Sequence, residues 1–333
     1  MESDILFSIV IPVKNGDCWL EKLLDRLVQQ TLFPRSEIMV IDSGSTDRSL
    51  EMISRYPVRL IQIPPAEFNH GATRNLGARE AKGKYVVMTV QDAVPESDRW
   101  LERLLEGFRN EEGPPNEGGS GNDRVVAVCG QQVVPHERDK NPVLWFRPVS
   151  EHRTWYCRYD DPGEFLKLNP AEQREMAGWD NVTAAYRRSV LLEYPFPATD
   201  FAEDISWARM MLLKGFTLGH VSGAIVFHYH HQLPEFILPR YFSVFYFEFK
   251  LFRLKPALQH SVGWNVLVAG RILLRETGLS WREKGKWLLF NARYWLALRG
   301  TIRKFNQAAD KSEADLDLQY QRICNKPPQA LKY

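Results

Sequence analysis

Short apolar runs alternate with helix-spaced leucines through the first half of the chain. No other feature limits the fold as much. Phe7 to Val13 (FSIVIPV) is nearly continuous in apolar residues, the pattern of a strand buried on both faces. Leu20, Leu23, Leu24 and Leu27 follow at helical spacing, with Asn15 or Asp17 as a possible cap. Strands are predicted at 37–41, 58–63, 85–90 and 125–128, and helices at 49–55, 70–82 and 100–108. Ser45 or Thr46 is placed to cap the helix at 49–55. A helix at 203–214 and a strand at 224–228 close this part. Strand–helix alternation implies an α/β fold, with a mainly parallel sheet and helices on both faces.

The chain has 333 residues, room for one large domain or two ordinary ones. Residues 110–123 (NEEGPPNEGGSGND) read as a low-complexity loop, and 135–180 as an irregular stretch rich in Trp, Tyr, Arg and Pro. Beyond 236 the alternation stops and only helical stretches follow. The expected division is therefore 1–235 and 236–333. Net charge is +2, but residues 240–310 hold 13 basic and 4 acidic residues. Such a segment should meet something anionic. Tyr241, Phe242, Phe245, Tyr246, Phe247, Phe249 and Phe252 crowd it, and Trp264, Trp281, Trp287 and Trp295 follow. Peripheral membrane contact through 240–305 fits this composition. So does a helical subdomain that packs these aromatics internally. No nucleic-acid-binding motif is present, and nucleic acid is not an expected partner. No apolar run reaches the ~18 residues of a membrane span, and the N-terminal MESDILFSIV lacks a secretory leader's basic start. The four cysteines show no zinc or redox spacing and read as free thiols of a reducing compartment.

In parallel sheets, ligands bind at the carboxyl ends of the strands. Three polar clusters fall at such ends: Pro12-Val13-Lys14-Asn15, Asp42-Ser43-Gly44 and Gln91-Asp92-Ala93. Taken alone, Asp42 reads as a turn or capping aspartate. Neither GxGxxG nor GxxxxGK[ST] occurs, which argues against a dinucleotide-binding dehydrogenase or a P-loop ATPase. A diphosphate would then rely on cations. His70, Arg74 and Asn75 gather at one helix N-terminus, a place that favours anions. Arg74 reads alternatively as an ion-pair partner. Glu203-Asp204 opens a helix, which suits either dipole complementation or a catalytic base. In VFHYHH, alternation puts His228 and His230 on one strand face, suitable for a metal or a diphosphate.

Together FSIVIPVKN, IDSGSTD, EFNHGATRNLGA, QDAVP, FAEDISWA and VFHYHH resemble glycosyltransferase family 2. They are most similar to its bacterial rhamnosyltransferase-like branch, over roughly residues 5–250. The resemblance implies a GT-A fold with a C-terminal helical extension. It implies an inverting glycosyltransferase that takes a sugar from a nucleotide-diphosphate donor, with dTDP-L-rhamnose indicated by the branch. The acceptor would be a growing surface polysaccharide or a lipid-linked glycan, met in the cytoplasm at the inner face of the membrane. A UDP- or GDP-hexose donor is the alternative, as is a non-catalytic carbohydrate- or lipid-binding subunit. Carried over, Pro12, Val13, Asp42 and Ser43 would hold the nucleoside, and His70, Arg74, Asn75 and Gln91 the rest of the donor. Asp92 matches the second aspartate of the DxD metal motif, while Val90 stands in place of the first. Mg²⁺ or Mn²⁺ would lie on Asp92 with help from His228. Asp204 would be the base, with Glu203 supporting it. Trp179, Asp180 and Asn181 would face the acceptor and donor sugar, with Trp179 stacking on a ring or simply packing.

Overall fold

The computed structural model describes residues 5–108, 125–147, 152–199, 201–229 and 236–326. The loop at 110–123, His230 and the expected boundary at 235 lie outside these. The strands are β1 (Phe7–Val13), β2 (Ser36–Asp42), β3 (Val58–Gln62), β4 (Tyr85–Thr89), β5 (Val94–Pro95), β6 (Val125–Val133), β7 (Thr154–Cys157), β8 (Thr183–Arg187) and β9 (Thr217–Phe227). The helices are α1 (Leu20–Val28), α2 (Ser49–Ile53), α3 (His70–Glu80), α4 (Trp100–Gly107), α5 (Pro162–Lys167), α6 (Pro170–Met176), α7 (Arg188–Glu193), α8 (Glu203–Leu213), α9 (Ile237–Phe252), α10 (Val262–Arg275), α11 (Trp281–Lys311) and α12 (Glu313–Cys324).

Two units divide the chain: residues 1–133 with 148–228, and 134–147 with 229–333. The second unit is thus discontinuous in sequence. It takes in 134–147, a segment that the expected division at 235 assigns to the first.

The first unit is built on one sheet of order β3-β2-β1-β4-β8-β6-β9-β5, with β7 on β9. From β3 to β4 every pairing is parallel. Strand β8 then inserts antiparallel between β4 and β6, so the sheet is mixed. The sequence reading missed β8 because Thr183-Ala-Ala-Tyr-Arg lacks a long apolar run. It also shortened β9, whose first half carries Gly219 and His220. Strand β1 is buried along nearly its whole length, as its composition predicts. The four spaced leucines of α1 are all buried against the sheet. Neither Asn15 nor Asp17 caps α1, and neither Ser45 nor Thr46 caps α2. Their polar atoms go to the loops beside the strand ends instead.

The second unit holds the aromatic stretch, and here the packing reading of α9 is the observed one. Phe242, Phe245 and Phe249 surround Phe305 of α11 edge-on. Tyr246 stacks on Tyr320 at 4.0 Å and donates its hydroxyl to Asp317 at 2.7 Å. A further buried cluster joins Trp145, Leu273, Leu279 and Trp287. Among the described residues no helix is long and apolar enough to cross a membrane.

Candidate active site

The carboxyl ends of β1, β2 and β4 are laced together by side chains that the sequence reading singled out. Val13 lies in register with Asp42. The Gln91 amide clamps the loop after β1: Lys14 N–H donates to Oε1 at 2.9 Å, and Nε2 donates to the Lys14 carbonyl at 3.2 Å. Asn15, in the left-handed region at φ 51°, accepts from Thr46 N–H at 2.9 Å. Ser43 donates its hydroxyl to the Val13 carbonyl. Asp42 is fully buried, and its carboxylate accepts from Gly44 N–H, Ser45 N–H and the Ser45 hydroxyl. That geometry realises the turn reading of Asp42, since a buried carboxylate needs several donors. Gly44 holds φ 85°, which lets the turn close. Val13 is core, while Pro12 keeps a partly open face.

The start of α3 is capped and closely packed. Asn69, missed as a cap, accepts from Ala72 N–H at 3.0 Å. A Cβ on Gly71 would fall 1.9 Å from the Pro197 carbonyl, so the 196–198 segment abuts this turn. Asn75 spends its amide on Phe196, donating to its carbonyl at 2.8 Å and accepting from its N–H at 2.9 Å. Arg74 forms a buried ion pair, Nη1 to Glu203 Oε1 at 3.1 Å, each side chain 6% exposed. Arg74 and Asn75 thus take protein partners here, the ion-pair reading for Arg74, while the buried Arg74 Nε has no hydrogen-bond partner among the described residues. His70 lies half-buried above, with Nδ1 3.4 Å from Arg74 Nη1.

Around that ion pair the structure gathers Asn181, Asp180 and Asp204. Asn181 Nδ2 donates to Glu203 Oε1 at 3.0 Å, and Asn181 N–H donates to Asp204 Oδ2 at 3.3 Å. The Tyr186 hydroxyl donates to Asn181 Oδ1 at 2.6 Å and accepts from Trp179 Nε1 at 2.7 Å. Trp179 is therefore buried framework and has no free face for a sugar. Asp180 accepts from Val182 and Thr183 N–H. Ala202, before α8, takes φ 59° and ψ 28°. This left-handed conformation costs a non-glycine residue ~1–2 kcal/mol and sets the direction of Glu203 and Asp204. Asp204 keeps part of its surface open. Burial of its carboxyl, with the Glu203 charge beside it, pushes its pKa up to about 8, and Arg74 acts in the opposite sense. Tyr186 is the member of this network that sequence reasoning missed, since nothing local marks a strand tyrosine as a hub.

Asp92 and His228 meet near the end of β9, with Oδ1 3.5 Å from Nε2 and both side chains largely buried. His228 Nδ1 lies 2.7 Å from Gln132 Oε1. The two ring nitrogens of His228 are thus directed at the Gln132 amide and the Asp92 carboxylate. Gln132 reaches this point because β6 shifts register around Gly130, where a Cβ would lie 2.1 Å from the Ala224 carbonyl. Among the described residues no group of three or more His, Cys, Asp or Glu side chains gathers around a metal position. Asp92 and His228 thus offer two protein donors, not a complete cage.

A family model described as glycosyl transferase family 2 matches residues 8–113. The O-antigen chain rhamnosyltransferase WbaN of Salmonella anatum is 30% identical over 310 residues, 90% of this chain and 87% of that protein. The O-antigen chain rhamnosyltransferase RfbN of Salmonella typhimurium is 28% identical over 308 residues, again 90% of this chain and 87% of that protein. Among solved structures, a mycobacterial protein superposes with a TM-score of 0.51 at 16% identity, over 77% of this chain and 78% of that one. A likeness at that identity concerns the fold.

Proposed function

The chain belongs to glycosyltransferase family 2, and from that premise we propose that it transfers L-rhamnose, with inversion, from dTDP-L-rhamnose to a hydroxyl of a growing O-antigen-type glycan. The observation that carries the sugar assignment is the match along 90% of the chain to a rhamnosyltransferase, 30% identical. The transfer itself rests on the site. Asp204 removes the proton from the acceptor hydroxyl as that oxygen attacks the anomeric carbon, and the nucleotide diphosphate leaves from the opposite face. A base works best with a pKa near the working pH, and Asp204 is raised in that direction. Glu203 is a poor rival, because its carboxylate is held by Arg74 and Asn181. It acts as a positioning residue, keeping charge beside Asp204. The loops tied by Gln91 and Asn15 present Pro12 and Ser45 to the nucleoside.

A divalent cation, Mg²⁺ or Mn²⁺, would lie between the Asp92 carboxylate and the His228 imidazole, whose Oδ1 and Nε2 are 3.5 Å apart. When bound, such a cation would neutralise charge on the departing diphosphate. Gln132 orients the His228 ring from the other side. Asp92→Ala should abolish the dependence of turnover on Mn²⁺ and lower the rate tenfold or more. Full activity in excess chelator would defeat this assignment.

The acceptor would be a lipid-linked or polymer glycan at the cytoplasmic face of the membrane, where nucleotide sugars are available. Donor identity is tested by thermal shift. A donor at ~100 times its Kd stabilises the native state by ~2.7 kcal/mol, about 5 °C for a chain of this size. dTDP-L-rhamnose with Mn²⁺ should give that shift, and UDP-glucose and GDP-mannose much less. A larger shift with either hexose donor would move the assignment to hexosyl transfer. No shift with any nucleotide sugar would favour a non-catalytic binding subunit.

A further inference from the structure

Burial of the α9 aromatics removes them from any outer surface, yet the helical hairpin that follows leaves a different set uncovered. Its inner side is used: Leu273, Leu279 and Trp287 pack on Trp145. Its outward faces carry Trp264, Leu267, Leu274, Trp281, Leu289 and Leu296, which are 47 to 76% exposed. Trp264, Leu267 and Leu274 fall on one stripe of α10, and Trp281, Leu289 and Leu296 on one stripe of α11. Lys284 joins the two stripes at the turn. Its ammonium donates to the Leu274 carbonyl at 3.3 Å and lies 4.9 Å from the Trp281 ring centroid.

Between these apolar side chains stand Arg271, Arg275, Arg282, Lys286, Arg293 and Arg299, all exposed. From 262 to 299 the sequence has only two acidic residues, Glu276 and Glu283. Glu276 is paired with Arg147 at 2.7 Å, and Glu283 is held by the Ser280 cap. The exposed cations of the hairpin therefore outnumber its two carboxylates, which already have partners.

We propose that the outward face of the α10–α11 hairpin docks on an anionic lipid bilayer, lying in the interface without crossing it. Leucines and tryptophans at this exposure gain by entering the acyl boundary, while interleaved arginines reach lipid phosphates. A second copy of this chain fits poorly, because it would set the same cations against each other. A nucleic acid would neutralise the arginines but leave the leucine stripe in water. The proposal holds whether or not the transfer chemistry is as assigned, since none of these residues belongs to the site described above.

The test is co-sedimentation of the full chain with vesicles of phosphatidylcholine, alone or with one third phosphatidylglycerol. Binding should appear on the anionic vesicles at low salt and weaken as salt rises, with little on the neutral ones. Arg271→Gln, Arg275→Gln and Arg293→Gln together should weaken it about 100-fold, at roughly fivefold per charge. Leu289→Ser with Leu296→Ser should also weaken it, which a purely electrostatic surface would not show. All five positions are exposed, so both variants should melt with the parent. Absence of binding at low salt, equal binding to neutral vesicles, or indifference to either variant would overturn the proposal.

Discussion

Asp204→Asn should lower kcat by about 10²–10⁴, the usual worth of a general base, while donor affinity stays nearly unchanged. The amide keeps the size of the carboxylate. Its oxygen can stay on Ile205 N–H, the tighter contact at 2.8 Å, and only the 3.3 Å bond from Asn181 N–H is lost. The same substitution should change stability in the opposite sense. In the unfolded chain Asp204 loses its proton near the ordinary carboxylate value of ~4. In the folded chain it holds the proton until about pH 8, because burial and the Glu203 charge disfavour the anion. Between those values the folded state binds more protons, so its stability falls as pH rises. Wild-type Tm should therefore drop from pH 5 to pH 8 by more than that of Asp204→Asn, and at pH 8 the variant should melt higher. In the wild type, kcat/KM should climb with pH toward 8. Single-turnover rates, donor titration and melts at the two pH values decide the matter. A variant that turns over at wild-type rate moves the base elsewhere, with Asp180 next in line, and Glu203→Gln should do less damage than Asp204→Asn.

The parallel half of the fold was legible because burial on both faces writes itself into sequence. Phe7–Val13 and the leucines of α1 could hardly be read otherwise. Strand β8 was not legible, since Thr183-Ala184-Ala185 gains its burial from β4 and β6 on either side, partners far away in sequence. The site divides along the same line. The sequence motifs paired Asp92 with His228 and Glu203 with Asp204, and those pairs do meet, but the residues that hold them in place were not legible. Gln132 and Tyr186 matter through contacts that only the sheet creates. Arg74 and Trp179 each carried two possible roles, and both are buried against protein partners in the fold. An arginine or tryptophan near a cleft carries no mark in sequence of whether its polar atoms face a ligand or a neighbouring side chain. The aromatic run of α9 left two readings open for the same reason. A stretch of Phe and Tyr suits a lipid interface and a protein core equally, and Phe305 and Tyr320, which cover it, lie 50 or more residues away.

Arg74→Ala should destabilise the protein by roughly 3–5 kcal/mol, the usual cost of stranding one member of a buried ion pair. Arg74 and Glu203 are both almost fully enclosed, and Glu203 would keep only the Asn181 amide as a named donor. The stranded charge would also lie beside Asp204. Arg74 now acts to lower the Asp204 pKa, so its loss should push that pKa higher and move the rise of kcat/KM to more alkaline pH. Arg74→Lys keeps the charge but not the forked geometry and should fall between the two. The double variant Arg74→Met with Glu203→Gln removes both charges together and should recover most of the lost stability. A donor-binding arginine predicts a different set of results. In that case Arg74→Ala would weaken binding of the nucleotide sugar many-fold, leave Tm unchanged, and gain nothing from the second substitution. Chemical denaturation of the three variants, beside a donor titration on each, separates the two roles. Lost donor affinity at unchanged stability would return Arg74 to the diphosphate.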